Sequence, residues 1–195
     1  MLHHFKHICH DKNAFTGVTD LKKFIKIINE QALNQTYYSS TATDPMRGRN
    51  KYFGDAGESL VEAFLNDLGN HKSINCTNYK PAEADEFGID GMGWYVRENG
   101  TLGRLAVQIK LSSDPKHYYD SHNSNILNAV AALKVLDFDR LLFVNTGAGI
   151  NPKLLKVLNQ KDSQLVYQVN YKDLSKLIDK SPIIWANWFN SLFDI

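Results

Sequence analysis

Asp90-Gly91-Met92-Gly93-Trp94-Tyr95-Val96, a polar turn at Glu98-Asn99-Gly100, and then Leu105-Ala106-Val107-Gln108-Ile109-Lys110 form the stretch that decides the fold. Two apolar and aromatic runs around a turn read as a β-hairpin. Side chains alternate along a strand, so Gln108 and Lys110 share one face while Val107 and Ile109 enter a core. A carboxylate heads the first strand, and a carbonyl and an ammonium group stand two residues apart on the second.

Those residue types suit phosphodiester chemistry. A phosphodiester is shielded by its own charge, so hydrolysis calls for a hard cation that polarises the phosphate and brings up hydroxide; Mg²⁺ takes oxygen ligands for this. Asp90 offers an anionic ligand and Gln108 a neutral one through its amide carbonyl. Lys110 can orient the attacking water or stabilise charge on the phosphorane-like transition state. A further acid lies upstream in Gly54–Gly69, where positions 57, 60, 61, 64, 65 and 68 follow a helical period and Gly69 is a stop signal. Glu58 falls on the margin of that stripe, able to reach over a sheet edge, with Glu62 one turn on.

The order helix-borne Glu58, Gly-Ile-Asp90, hairpin, Val-Gln108-Ile-Lys110 and then another helix resembles the PD-(D/E)XK, restriction-endonuclease-like superfamily. The resemblance implies an α/β fold with an αβββαβ core over roughly residues 52–146, its mixed central sheet flanked by helices. It assigns Glu58 to the helix-borne acid, Asp90 to the central metal-binding aspartate, Gln108 to the second ligand position and Lys110 to the lysine. Ile89 stands where the family name puts proline. Gln108 replaces the usual acid, as in the QxK branch found in Mrr-type restriction enzymes and intron-associated homing endonucleases. The implied activity is Mg²⁺-dependent endonucleolytic cleavage of double-stranded DNA, with Mn²⁺ able to substitute. A stand-alone chain of this size resembles a homing or phage-type enzyme, with restriction or repair, including junction resolution, as alternatives. A nuclease-fold binding protein without activity is the reading that Gln108 favours, since one fewer negative ligand weakens the pull on Mg²⁺.

Around this core, Arg47, Arg49 and Lys51 are the densest positive run and lead straight into the Glu58 helix, with Tyr52 able to stack. They are the leading candidates for DNA contact, by arginine to bases and lysine to phosphates. Ser112, Ser113 and Lys116 follow the lysine strand where DNA backbone would run. Glu83, Asp85 and Glu86 read as a solvated acidic loop, with Asp85 the one most worth testing as an added ligand. Asn123, Ser124 and Asn125 read as caps of an apolar-periodic helix over 123–136. A buried strand at 140–146, a helix at 152–159 and a strand at 164–169 extend the α/β layers.

Residues 1–46 read as an N-terminal helical appendage to a domain spanning 47–195. Leu21, Phe24, Ile25 and Ile28 form one helical stripe there, flanked by Lys22, Lys23 and Lys26. His3, His4, His7, Cys9 and His10 crowd the start without zinc-finger spacing. The segment from Ser39 begins as a polar linker. At the other end, Ser181–Phe193 is an apolar helix with Pro182 in its first turn, facing either its own core or a second copy.

Composition bounds the rest. The 195 residues carry 43% hydrophobic and 11% aromatic content, enough to bury a real core. A formal net charge of +1 excludes a global basic coat, so nucleic-acid binding would need a local patch. Cutting both strands of a duplex favours a homodimer or tetramer. Cys9 and Cys76 supply no disulfide framework, and no apolar run has membrane-spanning length, so a soluble cytoplasmic protein of cellular or phage origin is expected.

Overall fold

The hairpin forms where the alternation places it. β2 (Ile89–Val96) and β3 (Leu102–Lys110) pair antiparallel from Val96↔Leu102 to Gly91↔Val107. The computed structural model describes residues 5, 9, 11–33, 45–122, 124–160 and 164–193, with the backbone alone at 45–48, 83–86, 124, 125 and 193. β1 (Thr77–Glu86) adds to the free edge of β2, while β5 (Arg140–Asn145) and β7 (Val166–Val169) continue the sheet in parallel beyond β3. The five strands make a mixed sheet of order β1-β2-β3-β5-β7.

Helices cover both faces. α1 (Leu21–Leu33), α2 (Pro45–Leu68), α5 (Tyr171–Ile178) and α6 (Pro182–Phe193) contribute to the larger core, where Val107 and Ile109 meet Leu60, Val61, Phe64 and Trp188. α3 (Ser124–Val135) lies over the opposite face, with Ile126, Ala129 and Leu133 against Ala106, Leu141 and Phe143. The sequence α2-β1-β2-β3-α3-β5 is the αβββαβ order expected. α4 (Pro152–Leu158) then carries the chain to β7, and a two-stranded parallel sheet of β4 (Tyr118–Tyr119) and β6 (Gly149–Ile150) ties the loop after β3 to the loop after β5.

Several local expectations need correction. The acidic run at 83–86 is not a loop: β1 continues to Glu86, and Phe87-Gly88, both at positive φ, form a two-residue turn that closes it onto Ile89. The positive run at 47–51 does not lead into the Glu58 helix but forms its first turns, because Pro45 pre-sets a helical φ at the start. Tyr52 is not available to stack: it is wholly buried, its hydroxyl donating to Gln31 Oε1. The terminal apolar stripe is spent inside the chain, with Ile184, Trp185, Trp188 and Leu192 buried. His3, His4, His7, His10 and Asn123 lie outside the described residues, as do the side chains of Ser124 and Asn125. Cys9 is buried, which pushes its thiol up to about 11.

Candidate active site

The site lies where strands part. Beyond the Gly91↔Val107 pair the β2–β3 ladder ends, and Asp90, 4% exposed, turns its Oδ2 to accept the Ile109 N–H at 2.6 Å. A carboxylate thereby takes over from a backbone carbonyl, a charge-assisted bond that fixes its position. Gly91, next in the chain, packs closely against β1. A Cβ there would stand 2.5 Å from the Tyr79 ring and 2.8 Å from the Lys80 carbonyl.

α2 crosses this end of the sheet on the larger-core face. A Cβ at Gly57 would overlap Leu111 Cδ1 at 1.7 Å, so the helix lies tight against the end of β3 and presents Glu58, half-buried, to the Asp90 region. Burial, followed by the charges of Asp90 and Asp55, pushes the Glu58 carboxyl up to about 8, against smaller opposing effects of Lys110 and Lys51. Asp55 is itself buried and paired with Lys51 Nζ at 3.2 Å. Burial and the carboxylates of Glu62, Asp90 and Glu58 likewise push the Tyr79 hydroxyl up. Glu58, Asp90 and Lys110 therefore share one electrostatic environment, together with Asp55, Lys51, Glu62 and Tyr79.

Gln108 is 0% exposed, on the face covered by α3 beside Phe143. The hairpin face that bears Gln108 is covered at this end and exposed at the other, at Met92, Trp94 and Val96. Neither its Oε1 nor its Nε2 has a hydrogen-bond partner among the described residues. Unpaired buried amides cost roughly 1–3 kcal/mol each, so a polar group or cation is wanting there. Asn145, opposite Lys110 at the carboxyl end of β5, is buried too; its Oδ1 accepts the Gly147 N–H at 3.1 Å while its Nδ2 is unpartnered. Thr146 Oγ1 accepts the Ser112 N–H at 2.7 Å and donates to the Ser112 carbonyl at 2.9 Å, locking the loop after β3.

The remaining candidates are spread around this edge. Ser112 is half-buried, and Ser113 and Lys116 are exposed on a loop shaped by Asp114, whose Oδ1 accepts the Lys116 N–H at 2.8 Å. Arg49 donates to Asn29 Oδ1 at 2.8 Å across to α1, and Lys51 is held by Asp55. The side chains of Arg47, Glu83, Asp85 and Glu86 lie outside the described residues. Asp55, Tyr79 and Asn145 escaped the sequence reading; Asp55, one turn before Glu58 on the same helix, carried the only local signal.

As a set, Glu58, Asp90 and Gln108 offer hard oxygen donors suited to Mg²⁺. Two observations fit such an ion: a carboxyl raised by burial and then by neighbouring carboxylates, and a buried amide oxygen with no partner. Among the described residues no three His, Cys, Asp or Glu side chains group to hold a metal.

No family model matches this chain, and no curated protein matches it. Among solved structures, it is similar to the DNA modification-dependent restriction endonuclease AspBHI, at TM-score 0.49 and 12% identity over 88% of this chain and 39% of that one. It is also similar to MspJI restriction endonuclease in complex with a 27-mer oligonucleotide, at TM-score 0.47 and 13% identity over 71% of this chain and 31% of that one. The chain spans well under half the length of either.

Proposed function

We propose that this chain is a metal-dependent endonuclease that hydrolyses phosphodiester bonds in double-stranded DNA. The observation that carries the reading is the convergence of Asp90, Glu58 and Lys110 at the parted edge of β2 and β3, where burial and then the charges of Asp90 and Asp55 raise the Glu58 carboxyl. Glu58, Asp90 and Gln108 would hold Mg²⁺, or Mn²⁺ in its place, and the ion when bound would supply Lewis-acid activation of the phosphate and its attacking water.

The chain's own residues do the rest. Asp90 is anchored by the Ile109 N–H, so one carboxylate oxygen stays committed to the sheet and the other is aimed consistently. Glu58, whose carboxyl is held above the ordinary carboxylate range chiefly by burial, would serve as a ligand in its ionised form. Lys110, half-buried at the carboxyl end of β3, sets an ammonium group where it can orient water and offset charge gathering on phosphorus. One P–O bond forms to the water oxygen, one ester P–O bond breaks, and the leaving oxygen takes a proton.

DNA would run along the edge formed by the start of α2 and the loop 112–116, with Arg47, Arg49, Lys51, Ser112, Ser113 and Lys116 as its contacts. A homing or phage-type role fits a site built on the QxK pattern, and a homodimer or tetramer would bring two sites to two strands. A second reading, a nuclease fold that binds DNA without cutting, is favoured by Gln108 alone.

Incubation of plasmid, single-stranded and branched DNA and RNA with wild type and Lys110→Ala, with Mg²⁺ or EDTA, tests the proposal. Duplex cleavage that needs Mg²⁺ and falls by at least about 100-fold in the variant is expected. Binding of duplex by both proteins with cutting by neither would transfer the case to the inactive reading.

A further inference from the structure

At the opposite end of the sheet a cavity of about 190 Å³ opens between the loop after α2 and the amino ends of β3 and β5. Its floor is apolar: Ile74, Leu105 and Leu142 are buried. Its walls are Tyr95 and Tyr167, and between them stands Arg140, with its guanidinium carbon 4.5 Å from one ring centroid and 5.0 Å from the other. Arg140 Nη1 also donates to the Tyr167 hydroxyl. Lys72 sits at the rim, and no acid among the described residues lines the space.

The charge balance of this end is uneven. Arg97 makes a bidentate pair with Asp139 at 2.9 Å, and Arg104 pairs with Asp137 at 3.1 Å. Those pairs commit the two nearby carboxylates. Arg140 is left half-buried and oriented by aromatic rings, with no carboxylate partner among the described residues. A guanidinium presents five donors in a fixed fork, and only one of them is used on tyrosine. A preorganised cation in a recess with an apolar floor is suited to an anion bearing an organic body, and phosphate matches the fork bidentately.

We propose that this cavity is a second ligand site, taking a phosphomonoester whose phosphate meets Arg140 and Lys72 and whose organic part rests on Ile74, Leu105 and Leu142. It is separate from the candidate active site. Leu105↔Arg140 and Lys110↔Asn145 are five residues apart along the same strand pair, roughly 17 Å at strand rise. The proposal does not depend on the nuclease reading.

The test is titration of the full chain with inorganic phosphate and, separately, deoxyadenosine monophosphate in EDTA, followed by calorimetry and by tyrosine fluorescence. Binding of the nucleotide with a Kd below about 1 mM, weakened tenfold or more in Arg140→Gln and severalfold in Lys72→Gln, is expected. Phosphate alone should bind more weakly, because it leaves the apolar floor uncovered. Lys72 is exposed, so Lys72→Gln tests the site even if loss of Arg140 disturbs the fold. Absence of binding would overturn the proposal. So would binding that survives both substitutions but disappears in Lys110→Ala, which would place the phosphate at the candidate active site.

Discussion

Glu58 is the residue on which the electrostatics turn. Its carboxyl is raised from 4.5 to about 8 in the cation-free fold, so between those values the folded state keeps a proton that the unfolded chain releases. Its contribution to stability is complete below about 4.5 and is lost as the pH rises through about 8. Urea denaturation in EDTA should show that decline in wild type and a flatter profile in Glu58→Gln, the variant being more stable above that range by roughly 1–3 kcal/mol after allowance for solvent screening. Mg²⁺ should reverse the order by stabilising wild type more; identical pH profiles would remove the buried-acid argument. Gly91→Ala belongs to the same scale. Its Cβ would press on the Lys80 carbonyl, which as backbone cannot swing away, and a loss of about 1–3 kcal/mol in chemical denaturation is expected. The inward turn of Val107 and Ile109, opposite to Gln108, was legible because strand alternation is local. Asn145 and Tyr79 were not, because they reach the site only through register with strands distant in sequence: Asn145 opposes Lys110, and Tyr79 stands against Gly91.

Among elements, the β1–β2 hairpin shows what a sequence hides. Charged residues at 83–86 suggested a loop, yet charge alone does not exclude an edge strand, and the turn that closes it uses Phe87 at φ 58 rather than the Asn or Asp that usually announces such a turn. Phe87 is exposed, so its ring gives little in return for a left-handed backbone. Phe87→Asn should therefore stabilise the protein by about 0.5–1 kcal/mol, read as a shift of the urea midpoint at constant slope; a destabilised variant would show that the ring packs on something. α2 was half legible. Its apolar period marked the second half, whereas Pro45 at its start was the sign that the arginine and lysine run is helical too.

For the whole molecule, the N- and C-terminal segments close around one aromatic cluster. Trp188 is fully buried, edge-on to Phe15 and Phe24 with centroids at 5.2 and 5.0 Å, stacked near Phe5 at 6.4 Å, and donating to Ser59 Oγ at 3.0 Å. Ser59 adjoins Glu58, so the cluster braces the helix that carries the acid. Trp188→Ala should cost about 3–5 kcal/mol and lower the thermal midpoint. Across the molecule, helices on both sides of the sheet bury Gln108, whose amide has no partner among the described residues, while burial and then neighbouring charges raise the Glu58 carboxyl. The most direct measurement is nicking of supercoiled plasmid by wild type and Asp90→Asn in parallel over a Mg²⁺ titration. The account predicts Mg²⁺-saturable nicking by wild type and a rate at least about 100-fold lower in the variant. Equal rates in the two proteins, or cutting that persists in EDTA, would contradict it.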